Sequence, residues 1–130
     1  MPEPSADRPQ VSFHRAEDFP WEEVLVRHDG GARAAVRLKI LTASASAPVV
    51  IVTEYDPGMV VEAHAHRSDH VIFITRGSVT IGGVDCPAGT AVVLPEGAVF
   101  GPLVAGPDGT GLIEFYAGDD ARPAQTAGPA

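Results

Sequence analysis

The chain has 130 residues and a mass of 13.5 kDa, the size of one domain that can bury a core without disulfides. Nine basic against seventeen acidic residues leave a net charge of −8, so a phosphate backbone or an anionic membrane surface would be repelled, and neither nucleic acid nor membrane is expected as a partner. Fourteen Gly and twelve Pro argue against long helices, and richness in Val and Ile with frequent breakers favours short strands joined by turns.

Residues 1–10 are polar, carry three prolines and contain no apolar signal core, so they read as a flexible tail of an unexported, cytoplasmic protein. Val11 and Phe13 suggest a short strand, and Asp18, Phe19 and Pro20 could open a helical turn from Trp21 to Val26, closed by Asp29, Gly30 and Gly31. Trp21 is expected to cover one mouth of the domain or a partner-facing edge. Period-two alternation predicts a half-buried strand at 34–41, with Arg37 and Lys39 on the solvated face. The β-branched run 48–55 follows, then a turn at Asp56, Pro57 and Gly58. Further strands are predicted at 60–66, 70–75, 78–81, 84–86, 90–94, 98–103 and 110–116, with Gly82-Gly83 forming a tight hairpin. No apolar stretch approaches the roughly 18 residues of a membrane span. Cys86, the only cysteine, reads as a small buried hydrophobe rather than a reactive thiol. Residues 118–130 lack apolar periodicity and read as a second tail, leaving one domain over 11–117. So many short strands mean an all-β sandwich or barrel.

Three of the five histidines, His64, His66 and His70, fall within seven residues. On a helix His64 and His66 would diverge by about 200°, whereas on strands all three even positions share a face. A single straight strand would still hold His64 roughly 20 Å from His70. The polar Arg67-Ser68-Asp69 must therefore turn the chain, so that His64 and His66 end one strand and His70 begins the next. Three imidazoles so gathered suit one divalent first-row transition metal ion, namely Fe, Zn, Mn, Ni, Co or Cu. His14 and His28 have no partner in sequence and receive no role.

The pattern Gly58-x5-His64-x-His66-x3-His70-x6-Gly77 resembles the first motif of the cupin superfamily, with histidine where the family usually has glutamate. The second motif is met by Gly89, Pro95 and Gly97, but Phe100 stands where a metal-binding histidine belongs and Val104 replaces the asparagine. The resemblance covers 58–104, extends plausibly over 34–117, and implies an antiparallel jelly-roll barrel with a metal in its mouth. It further implies a three-histidine site with open coordination positions, suited to an anionic, chelating small molecule. Phe100 would wall and dry that site.

Other candidates are weighed beside it. Glu54 and Tyr55 are neighbours, so only one can face inward. Glu114, within Leu112-Ile113-Glu114-Phe115-Tyr116, stands either on the solvent face, the commoner outcome for a carboxylate, or inside as a catalytic acid or base. Asp69 either caps its turn or orients an imidazole. Tyr55, Glu62, Phe73 and Phe100 are expected to line the pocket. The expected function is a small metal-dependent cupin enzyme acting on an oxygen-rich or carboxylated molecule, as a dioxygenase or as a non-redox isomerase, lyase or cyclase. The alternative is a non-catalytic ligand-binding or sensor cupin. A homodimer is expected, built from the N-terminal segment, with Phe13, Phe19 and Trp21, and the outer sheet.

Overall fold

The computed structural model describes residues 10–27, 33–42 and 48–117. A short 3-10 turn, Ala16–Asp18, precedes eight strands: β1 Glu22–Arg27, β2 Arg33–Thr42, β3 Val49–Tyr55, β4 Val60–Val61, β5 His70–Ile81, β6 Val84–Pro87, β7 Ala91–Leu94 and β8 Leu103–Tyr116. All pairings are antiparallel, in the order β1-β2-β3-β8-β5-β6, with β4 also on β8 and β7 also on β5. Among the described residues this ladder does not close on itself, and the architecture is an antiparallel jelly roll. No described helix is long and apolar enough to cross a membrane.

Two long strands organise the fold. β5 and β8 pair along their length, with register shifts between Ile74 and Arg76 and between Gly77 and Val79. Each shift bends the ribbon. The first half of β5 thereby pairs with β7 and the second half with β6. Gly77 sits in this bend with φ of 69°, where a Cβ would collide with the Gly109 carbonyl, so a side chain cannot be accommodated there. Even-numbered β5 residues from His70 to Ile74 are buried and odd-numbered residues of β3 join them in the interior. Met59, Ile72, Ile74, Val79, Leu103 and Leu112 form its apolar floor. Truncating Met59, Ile72, Ile74, Leu103 or Leu112 to Ala would cost about 2–5 kcal/mol. Cys86 is buried with them.

At the start of β2, the Asp56 carboxylate accepts the Ala35 N–H at 2.9 Å and the Arg37 guanidinium at 2.8 Å. The Ala35 amide, followed by Arg37, holds this carboxyl below the usual range. The turn after β3 is thus tied back to β2.

Several predicted elements are corrected. The helical turn over 21–26 is strand β1, because its backbone pairs with β2 from Glu22↔Leu38 to Arg27↔Arg33. Val11 and Phe13 form no strand. The strand over 60–66 is only two residues long, with an isolated bridge at His64↔Phe100, and 98–103 contributes that bridge and, in Leu103, the first residue of β8. The strands at 70–75 and 78–81 are one bent strand, and the last strand begins at Leu103 rather than 110. The Asp29-Gly30-Gly31 turn, His28 and the tails 1–9 and 118–130 lie outside the described residues.

Candidate metal centre

The three histidines come from two sides of one turn, as their spacing requires. His64 is fixed by a two-way backbone bridge to Phe100, His64 N–H donating at 3.0 Å and Phe100 N–H at 2.9 Å. His66 follows in the loop, and its carbonyl accepts from Gly97 N–H at 2.9 Å. His70 opens β5, paired with Leu94 and Tyr116. Ring centroids lie 5.0 Å apart for His64 and His66 and 4.5 Å apart for His66 and His70. His66 and His70 are buried.

Each imidazole is held differently. His64 Nδ1 lies 2.8 Å from the Glu62 carbonyl, which can only accept, so Nδ1 carries the hydrogen and Nε2 is the nitrogen of the neutral ring left to give a lone pair. Both ring nitrogens of His70 are buried and make no hydrogen bond. Burial, reinforced by His64 and opposed by the Ser68 backbone, depresses the His70 pKa to about 4, so the ring is neutral near pH 7. Orphaned buried nitrogens are costly. Neutral imidazoles with lone pairs to give are the donor chemistry of a transition-metal site. No group of three or more His, Cys, Asp or Glu side chains among the described residues is placed to hold an ion as the side chains stand.

Phe100 is buried among the histidines, its ring 4.5 Å from His64, 5.4 Å from His70 and 5.9 Å from His66. It presents an apolar wall to the cluster. Tyr116 closes the other side, stacked on His70 at 4.6 Å with an interplanar angle of 8°. Its hydroxyl donates to Glu114 Oε1 at 3.0 Å and lies 3.5 Å from His66 Nε2. Thr53 donates to Glu114 Oε2 at 3.1 Å. A chain Thr53, Glu114, Tyr116, His66 therefore joins the interior carboxyl to the histidines. Burial pushes the Glu114 pKa up, against the two hydroxyl donors, and raises Tyr116 and Tyr55 as well, each with the Glu114 charge adding.

Glu114 thus faces inward, not onto the commoner solvent face. Tyr55 is buried and Glu54 faces out, where it accepts from Arg76 at 2.9 Å. Two expected pocket residues are corrected. Phe73 has the opposite parity to His70 and lies on the outer face, 39% exposed. The Glu62 side chain is exposed, and only its carbonyl reaches the site. Asp69 Oδ1 accepts the Glu96 N–H at 2.8 Å, the turn-capping role. Sequence reasoning missed Tyr116 and Thr53; Tyr116 shares the parity of Leu112 and Glu114, which was the available signal.

Comparison with known proteins agrees with this architecture. The polyketide cyclase RemF from Streptomyces resistomycificus superposes with a TM-score of 0.70 at 21% identity, over 93% of this chain and 88% of that one. A putative acetylacetone dioxygenase from Methylibium petroleiphilum PM1 gives 0.68 at 14% identity, over 88% and 81%. The anti-sigma ChrR, in its complex with SigE from Rhodobacter sphaeroides, gives 0.58 at 19% identity, with 78% of this chain spanning 51% of that one. At these identities the likeness is one of fold. No curated protein sequence matches the chain. The model of the ChrR cupin-like domain matches residues 10–114, nearly the whole described fold, and the chain belongs to that family of cupins.

Proposed function

We propose that His64, His66 and His70 hold one divalent first-row transition metal ion and that the protein is a small metal-dependent cupin enzyme of the cytoplasm, acting on an oxygen-rich or carboxylated small molecule. The observation that carries this reading is the convergence of three imidazoles, one with two buried nitrogens and no hydrogen bond. A closed site requires rotation of the rings about their terminal torsions, which are soft. When bound, such an ion supplies Lewis-acid polarisation or oxygen chemistry. The chain's own residues do the rest. Glu62 orients His64 through its carbonyl, Phe100 excludes water, and Tyr116 with Glu114 holds a proton beside His66, with Glu114 as acid or base. The buried single cysteine suits a reducing compartment. The test is metal analysis of purified protein after loading with Zn2+ or Co2+ and dialysis. One ion per chain is expected; no retained ion with all three histidines intact overturns the reading.

A second reading, a ligand-binding or sensor cupin, is favoured by the match to the ChrR cupin-like family. Prolonged incubation of metal-loaded protein with candidate carboxylates separates the two: a bound ligand recovered unchanged supports the sensor, and a new product supports the enzyme.

A further inference from the structure

Three neutral imidazoles bring no negative charge to an ion. A divalent cation held by them alone keeps its full double charge in a buried place, which is costly without an anionic partner. The cupin motif would supply one at position 70, where this chain has histidine. Carboxylates near the cluster are committed elsewhere: the Glu62 side chain is exposed, Asp69 Oδ1 accepts the Glu96 N–H, and the two oxygens of Glu114 accept from Thr53 and Tyr116. The Tyr116 hydroxyl, by contrast, reaches the cluster itself, 3.5 Å from His66 Nε2.

We infer that Tyr116 is a fourth ligand of this site, binding the ion through its phenolate oxygen beside His64, His66 and His70; the inference rests on the three-histidine reading above. Distance separates this role from a hydrogen bond. Side-chain hydrogen bonds to nitrogen cluster near about 2.9 Å, and 3.5 Å is long for one. Two donor atoms each about 2.1 Å from one tetrahedral ion stand about 3.4 Å apart, close to the spacing of Tyr116 Oη and His66 Nε2.

The fold holds the ring in that place. Tyr116 is buried and its backbone is paired on both sides, with Val49 of β3 and with His70 of β5. Its ring lies 4.6 Å from His70 in a parallel stack and 5.1 Å from His66, on the side of the cluster away from Phe100. Phe100 offers no donor at the position where the motif has its histidine, so the fourth ligand comes from β8 instead. The proton balance closes within the same group of side chains. As Tyr116 binds, its O–H bond breaks, the proton passes to Glu114 Oε1 at 3.0 Å, and the freed oxygen lone pair forms the bond to the ion. Burial makes Glu114 a stronger base than an exposed carboxylate, which favours that transfer, and a bound cation offsets the burial that keeps the free phenol protonated. The dication thus gains one negative ligand, and the carboxyl ends neutral.

Absorption spectroscopy of the full chain loaded with Cu2+ tests the inference, with bound copper measured on the same samples. A phenolate on Cu2+ gives a strong charge-transfer band in the visible, where imidazole ligands leave only weak absorption. The wild type should hold one Cu2+ per chain and show the band. The chain has only two tyrosines, so two variants assign it. Tyr116→Phe should lose the band and keep its copper on the three histidines. Tyr55→Phe should keep the band, since Tyr55 pairs with Thr110, six positions along β8 from Tyr116. If Tyr116→Phe does not fold, the band of the wild type and its persistence in Tyr55→Phe still identify Tyr116 by elimination. One Cu2+ per chain without the band, or a band that survives in Tyr116→Phe, overturns the inference and leaves the three-histidine reading standing. A wild type that retains no ion overturns both.

Discussion

At one end of β3, β5 and β8 the two faces depart from the usual arrangement of an antiparallel sheet. Outside stand Val52, Val71, Phe73, Ile113 and Phe115, while inside, towards one end, stand Thr53, His70, Glu114 and Tyr116. An antiparallel sheet with one solvated face ordinarily puts polar side chains there and apolar ones in the core. Burying a carboxyl and imidazoles opposes stability unless their partners are supplied, and exposing a row of large hydrophobes opposes solubility. The inner polar end is where the proposed metal site lies.

The contrast is sharpest at His70 and Phe73, three residues apart on one strand and on opposite faces. His70→Ala should lower metal affinity on the order of 100-fold or more while leaving a folded β domain. Phe73→Ser should leave it unchanged, as should His14→Ala. Chelator competition measures both effects, and equal losses at positions 70 and 73 would remove the distinction between the faces. Phe100→His comes next. Replacing the apolar wall by a fourth imidazole should tighten metal binding about tenfold and alter the Co2+ spectrum; an unchanged spectrum would take residue 100 out of the site.

Tyr116→Phe keeps the stack on His70 but removes one of the two donors to Glu114. Loss of that bond should cost about 1–3 kcal/mol in urea unfolding of the metal-free protein, and an unaltered midpoint would show the bond to be absent in solution. The smallest effect is a pH slope. Because burial raises the Glu114 pKa above the ordinary 4.5 of a glutamate, the folded state holds that proton after the unfolded chain has released it. Stability from this group is therefore full below about pH 4.5 and is lost as pH rises through the folded pKa. Glu114→Gln removes this dependence, so its stability relative to wild type should increase with pH above 4.5. Parallel pH profiles would mean that the carboxyl is not desolvated.

The histidine site was legible because its information is local. His64, His66 and His70 share parity, and Arg67-Ser68-Asp69 could only be a turn, so their convergence followed from strand geometry. The strand class followed from β-branched runs and breakers. The segment 21–26 was misread because Trp21, Val24 and Leu25 fit either period, and only the ladder to β2 makes it a strand.

The amino-acid sequence by itself determined an all-β fold and the cluster of three histidines, since each rests on neighbours a few residues apart. Which side of the sheet Glu114 and Tyr116 occupy was decided by tertiary structure alone. Leu112, Ile113, Phe115 and Tyr116 surround Glu114 with apolar residues on both parities, so alternation carries no sign there. Pairing of β8 between β3 and β5 sets that sign, turning Leu112, Glu114 and Tyr116 towards His66 and leaving Ile113 and Phe115 outside. A local pattern specifies a face only when the two faces differ in chemistry; where both are apolar, the partners across the sheet decide.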